Sequence, residues 1–297
     1  MSACGLKLSI LIALAVRLTT GLNTVLYGPS ARELLLLTAK LAAREGMGAS
    51  CICAPGTEDG CRRLMYGDYL SNGGEETRSG DGEARPISSG EDIQEALESA
   101  NSLIFVAFDS PIDKKAYNTI LGSRGEGLSK VILLSKIGVT KAKGGFFGGG
   151  VDTKLLESEE ALQKICKEQG LDLSIVRAGN LKGGGPGEEG NDFGLDKCYY
   201  NTLLDVVEAS VTMAHDKYTL GLDCTKGDTV EQPNMFAQMG TKSSFEACPY
   251  ETNRIVLAGG IVAAALHDVP IEFSVGAEKS EVPPSLQDWK DAFERMK

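Results

Sequence analysis

A β-prone run, Asn23–Tyr27, stops at Gly28, passes through Pro29, Ser30, Ala31 and Arg32, and enters a leucine-rich stretch that closes on Lys40, Arg44 and Gly46. Those residue types in that order predict a strand, a tight turn and a helix whose first N–H groups have no partner within the helix and point back at the turn. An anion is drawn to such a place, and in an α/β chain this is the layout of a dinucleotide diphosphate site. The small-residue pattern is altered: it reads Gly28-x-x-Ala31-x-x-Leu34, where the usual fingerprint has small residues at all three places. Ala31 is a mild change. Leu34 predicts either a helix pushed outward or a helix face turned toward other packing. Two readings stay open: a diphosphate cradle made by Gly28, Pro29, Ser30, Ala31 and Arg32, or a strand-turn-helix that holds no ligand.

Further along, short apolar runs alternate with helical patterns. Ala49–Cys53, Ser102–Phe108, Lys130–Ser135 and Leu173–Arg177 read as strands buried on both faces. Gly90–Ser99, Asp113–Leu121 and Glu157–Gln169 read as the helices between them. This alternation predicts a doubly wound, mostly parallel, Rossmann-like α/β sheet. One domain is expected over 23–297, with a small C-terminal substrate lobe formed mainly by 183–297. Residues 1–22 stand apart as a hydrophobic segment, either a removed targeting signal or an extra arm. The apolar run Leu8–Val16 is too short to span a bilayer core of ~30 Å. Glycines cluster in 67–90, 144–150 and 183–187. At the carboxyl edge of a sheet they suit loops that close over a ligand, while the acidic 71–90 stretch reads as a surface insertion.

The formal net charge of −11 repels phosphate backbones and anionic lipid, so nucleic acid is not an expected partner. Eight cysteines include no C-x-x-C pair, and with two histidines no zinc spacing assembles. Reduced core thiols and no metal site are expected.

Val131-Ile-Leu-Leu-Ser-Lys-Ile-Gly-Val139, Glu159-Glu-Ala-Leu162 and Gly170-Leu-Asp-Leu-Ser-Ile-Val-Arg-Ala-Gly-Asn-Leu181 follow one another, and Thr252-Asn-Arg-Ile-Val-Leu-Ala258 precedes the strand-like Ile271–Gly276. Over roughly 24–293 this succession resembles the atypical short-chain dehydrogenase/reductase family, and the tail from Pro283 to Phe293 is similar to algal plastid members. The resemblance implies a Rossmann fold, a bound nicotinamide dinucleotide, oxidoreductase chemistry and a plastid location. It also implies cofactor contacts from Gly28, Pro29, Ser30, Ala31 and Arg32, from Ala107, Phe108 and Asp109, and from Ser135, Ala178, Gly179 and Asn180.

Catalytic members of that family use a Tyr-x-x-x-Lys helix, whose lysine lowers the phenol pKa for proton exchange. Here no tyrosine lies between Tyr117 and Tyr199, and none is followed by lysine four residues on. Ser135, at a strand end, and Lys154, near the start of the corresponding helix, are the catalytic candidates. Solvated charge is the competing reading for Lys154, and a turn hydrogen bond for Ser135. Tyr199 and Tyr200 reach the pocket or pack the lobe. His215 and His267 are each expected as packed or exposed structural residues. The second strand ends in Cys53-Ala-Pro-Gly56 with no acid to hold ribose hydroxyls, and Arg32 stands where a 2′-phosphate would meet a guanidinium, with Arg62 or Arg63 as substitutes. NADP is therefore favoured over NAD. Two functions are carried forward: an NADP-dependent oxidoreductase working without the tyrosine pair, and a catalytically silent NADP(H)-binding regulatory or scaffold subunit of a larger complex. A third, a structural domain that has lost the nucleotide, rests on Leu34.

Overall fold

In the computed structural model, residues 21–67, 83–144, 150–187, 193–203, 205–228, 250–269 and 271–297 are described. The expected hydrophobic segment 1–22 lies almost wholly outside them, as do most of the glycine clusters at 67–90 and 144–150.

The chain runs β1 (Asn23–Tyr27), α1 (Arg32–Arg44), β2 (Gly48–Ile52), α2 (Glu58–Tyr66), β3 (Arg85–Ile87), α3 (Gly90–Ser99), β4 (Ser102–Val106), α4 (Lys114–Gly122) and β5 (Lys130–Lys136). It continues with α5 (Gly150–Gln169), β6 (Asp172–Ala178), β7 (Asn180–Lys182), α6 (Val206–Tyr218), β8 (Cys224–Lys226), β9 (Glu251–Asn253), α7 (Arg254–Leu266), β10 (Glu272–Val275) and α8 (Leu286–Met296). One sheet has the strand order β3-β2-β1-β4-β5-β6-β10-β8. Its pairings are parallel except the last, β10 with β8. The chain reverses its winding between β1 and β4, and ligands of open α/β sheets bind above such a switch point. The expected doubly wound, Rossmann-like architecture is what the chain adopts.

Alternate residues along the strands feed two cores. Leu26, Ile104, Val106, Ile132, Leu134 and Val176 face α1 and α7, while Val25, Leu103, Phe105, Val131, Leu133 and Ile175 face α3, α4 and α5. This two-sided burial explains why β4, Ser-Leu-Ile-Phe-Val, is buried at every position and carries no polar face. The 183–297 stretch divides its duties. β8, β10, α7 and α8 extend the main sheet and its cover, whereas β7 and β9 form a separate parallel pair.

Helix boundaries follow the caps. Ser89, Asp113, Asp205, Asn253 and Ser285 each accept a hydrogen bond from a first-turn N–H of α3, α4, α6, α7 and α8. Asp113 is therefore a cap and not the first helical residue. α5 begins at Gly150, earlier than the expected Glu157. Helices α2 and α8 are additions to the pattern read from the sequence, while α6 carries His215, a residue expected on a helix. α2 buries only Cys61, Leu64 and Met65, a stripe too narrow to announce itself.

Ala31, the residue before α1, adopts φ 51 and ψ 48, the only left-handed non-glycine conformation among the described residues. An alanine there crowds its Cβ against its own carbonyl by about 1–2 kcal/mol, part of which a glycine would return as unfolded-state entropy. Ala31→Gly is expected to raise stability by roughly 0.5–1 kcal/mol, read as a higher urea midpoint at unchanged slope. A lower midpoint would contradict the left-handed turn.

Candidate functional site

The switch-point turn is held by contact rather than by sequence habit. A Cβ on Gly28 would lie 2.5 Å from the carbonyl oxygen of Val106 and 2.7 Å from its Cβ, so the end of β1 presses directly on the end of β4. The Asp109 N–H donates to Ser30 Oγ at 3.3 Å, tying the loop after β4 to the turn. Left-handed Ala31 then redirects the chain into α1. Leu34, the bulky residue at the third small position, is fully buried in the core on the α1 and α7 side. Its side chain is absorbed by packing, in line with the turned-face expectation.

No side chain caps α1. α2 also lacks a side-chain cap, because Thr57 Oγ1 donates instead to the Ala54 carbonyl at 2.7 Å. The α2 end is nonetheless occupied by negative charge. Glu58 and Asp59 sit in its first turn, and hydrogen bonds from Ser88 and from the backbone N–H groups of Glu58 and Gly56 hold the Glu58 carboxyl below its usual range. An open cleft of about 520 Å³ lies beside both helix starts, bordered by Arg32, Gly56, Thr57, Arg63, Asn201 and Thr202. Arg32 is exposed and lies 3.5 Å from Glu33. The cleft thus brings two arginines next to an uncapped helix N-terminus, and both attract a phosphate. As expected, no acid follows β2: Cys53 donates its N–H to the Ile87 carbonyl, and Ala54, Pro55 and Gly56 turn the chain.

The remaining expected cofactor residues divide. Ala107 and Phe108 are buried, and the Ala107 N–H is spent on the Leu134 carbonyl. Pro29 and Asp109 are exposed. Ala178 is buried, while Gly179 and Asn180 donate their N–H groups to Thr252 Oγ1 and the Tyr250 carbonyl at 2.9 and 2.7 Å. A Cβ on Gly179 would stand 2.1 Å from the Tyr250 oxygen, so this stretch is stitched to the strand before α7.

Ser135 departs from its expected role. Its hydroxyl is fully buried and donates to Glu159 of α5. Glu159 in turn receives Arg177 Nη1 and Nη2 at 2.6 and 2.8 Å, and Arg177 Nε reaches Glu272 of β10. Burial opposes the charge on Arg177, but the hydrogen bonds and charge of Glu159, joined by Glu272, outweigh it and hold the guanidinium protonated. This buried cluster was missed from sequence. Its signal was an arginine inside an otherwise apolar strand, which requires buried carboxylates nearby. Lys154 is exposed. Tyr117 is fully buried against Phe105 and shares a 2.9 Å hydrogen bond with Ser158, which donates onward to the Ile112 carbonyl.

A second buried carboxylate organises the segment after β7. Asp216 accepts from the N–H groups of Gly184 and Gly185 at 2.6 and 2.9 Å and from Tyr200 at 3.0 Å. Cβ atoms on Gly183 and Gly185 would fall 2.5 Å from Asp216 and 2.4 Å from the Tyr200 ring. The 183–185 part of the third glycine cluster is therefore a close-packed anchor, not a lid. Tyr200 serves that anchor and Tyr199 is buried. Among the described residues no group of acids, histidines and cysteines forms a metal site, and no helix is long and apolar enough to cross a membrane.

No family model and no curated protein matches this chain. Solved structures similar to it include a short-chain dehydrogenase/reductase from Veillonella parvula DSM 2008 in complex with NADP, 13% identical over 89% of this chain and 99% of that one, with a TM-score of 0.47. An anaerobillin reductase from Escherichia coli O157:H7 is 12% identical over 89% and 100% of the two chains, with a TM-score of 0.47. Vestitone reductase from alfalfa, Medicago sativa, is 11% identical over 90% and 86%, with a TM-score of 0.45. Likeness at this level concerns the architecture alone.

His215 and Asp216 carry opposite pH dependences. Burial, aided by Lys182 and Arg254, pushes His215 down to about 4, and burial pushes Asp216 up to about 6. The histidine's contribution to stability is present above its unfolded value near 6.5 and is lost as pH falls toward 4. The aspartate's contribution is present below its unfolded value near 3.8 and is lost as pH rises through 6. Between pH 4 and 6 the two nearly cancel. H215N is expected to unmask the aspartate: its stability relative to the parent should rise on acidification from pH 6.5 to 4.5 by up to about 1.4 kcal/mol per pH unit, measured from urea midpoints. A difference that does not change with pH would refute the buried neutral histidine.

Proposed function

We propose that this chain binds NADP(H) at the β1–α1 turn, as a protein of the atypical short-chain dehydrogenase/reductase type. The observation that carries this reading is the end of α1. Five helices have their first turns closed by a side chain, whereas α1 opens with no side-chain cap, Glu33 the one carboxylate in its first turn, beside a cleft bordered by Arg32 and Arg63. These residues fit the group. Backbone N–H groups of the first turn of α1 would take the diphosphate, and Arg32 or Arg63 the 2′-phosphate. The nicotinamide, when bound, supplies a hydride donor or acceptor. Missing acid at the end of β2 supports NADP over NAD.

Whether hydride moves is a separate matter, and the Ser135 network favours the silent-binding reading. In this reading the chain serves as an NADP(H)-responsive regulatory or scaffold subunit of a larger complex. The serine expected at the reacting centre is committed to Glu159, and Tyr117 to Ser158. An oxidoreductase that uses a bound water or another donor is the second reading, supported by the family resemblance of the sequence. A plastid location rests on that resemblance alone.

Titrating the protein into NADPH and following cofactor fluorescence tests binding, and a screen of quinone and carbonyl acceptors for NADPH oxidation tests turnover. Binding without oxidation across the panel is the expected result. Absence of binding to either NADPH or NADH overturns the proposal. Arg32→Ala is expected to weaken NADPH about tenfold or more and leave NADH affinity within about twofold, since only the 2′-phosphate contact is removed. Equal losses for the two nucleotides would remove Arg32 from that role.

A further inference from the structure

At the far end of α1, roughly 14 Å along the helix from its first turn, a second cavity of about 170 Å³ opens between α1, α7 and the start of α8. It is independent of the dinucleotide reading. Its walls are mainly apolar, with Leu41, Phe193, Val262, Leu286 and Trp289 among them, and the bare backbone of Gly259 completes one side. Apolar cavities of about 150 Å³ take up a benzene-sized molecule.

One wall is polar in a specific way. Trp289 is fully buried, and its indole Nε1 has no hydrogen-bond partner among the described residues. The ring packs closely on α7: a Cβ on Gly260 would come 2.7 Å from its edge, while a Cβ on Gly259 would stand 3.3 Å from Nε1 itself, with no other neighbour within 4 Å. Gly260 thus permits the close approach of the ring, and Gly259 leaves space beside Nε1. A buried indole normally finds an acceptor, because leaving the donor unmet forfeits its hydration. The mouth carries one basic and one acidic residue, Arg44 and Glu45, so its charge favours neither an anion nor a cation.

We infer that this cavity is a binding site for a small neutral aromatic carbonyl compound, whose ring fills the apolar space and whose oxygen accepts the Trp289 indole hydrogen. Trp289 is the chain's only tryptophan, so it reports on its own site.

The test uses the full chain labelled with nitrogen-15, in which one indole N–H resonance arises. Acetophenone is the probe, and ethylbenzene, of like shape without the oxygen, is its control. Acetophenone is expected to move the indole resonance downfield in a saturable manner and to bind about tenfold more tightly than ethylbenzene. G259A, which places a methyl group beside Nε1, should abolish the response while favouring the helix. W289F should abolish the preference for acetophenone over ethylbenzene, read by thermal stabilisation, and this arm decides the matter if G259A fails to fold. An indole resonance that stays still up to the solubility of acetophenone, equal affinity for the two probes, or an unchanged preference in W289F would overturn the inference.

Discussion

The contact between Gly28 and Val106 is the constraint from which the site geometry follows. β1 and β4 are neighbours at the point where the sheet reverses its winding, and their ends come so close that any side chain on residue 28 would strike the Val106 backbone. The chain must therefore leave β1 without a Cβ and turn within three residues. Ala31 completes that turn in a left-handed conformation, and α1 starts with its N–H groups directed at the sheet's carboxyl edge. The cap position of α1 is an alanine with no side-chain acceptor, whereas Ser89, Asp113, Asp205, Asn253 and Ser285 occupy it at α3, α4, α6, α7 and α8.

Across the sheet, the Arg177 cluster imposes a second constraint that is chemical rather than geometric. Four elements, β5, β6, α5 and β10, meet through Ser135, Arg177, Glu159 and Glu272. A buried guanidinium with one buried and one partly exposed carboxylate is tolerated because its hydrogen bonds converge, and losing Glu159 would leave its charge poorly compensated. The same convergence withdraws Ser135 and Glu159 from solvent. Ser135 is committed to Glu159, and Glu159 to Arg177, inside the fold.

Much of the architecture was legible because doubly buried strands and amphipathic helices write distinct periods into the sequence. β4, β5 and β6 appear as apolar runs, and the turn at Gly28 appears as punctuation. Three things were not legible. The narrow stripe of α2 is short of a clear helical period. The edge strand β8 and the small β7–β9 pair are only three residues long, below the length at which alternation can be read. Hydrogen-bond partners far apart in sequence, such as Asp216 with Gly184 or Ser135 with Glu159, have no local signature at all. The glycine cluster at 183–187 shows the same limit from the other side, since composition suggested freedom where Asp216, Tyr200 and Asn253 impose contact.

Leu34, at the third small position, would count against a nucleotide if it projected into the turn, but it is buried with Leu26 and Val106 in the core under α1. What remains at the turn is unfavourable without a ligand: a strained alanine, an uncapped helix start and a neighbouring arginine, each destabilising or neutral in the free chain. The proposed anion-binding role rests on two features at this corner of the sheet, the left-handed Ala31 and the helix start that no side chain caps. The chain's net charge of −11 makes that role demanding, because it repels phosphate except where backbone dipoles and guanidinium groups overcome it locally.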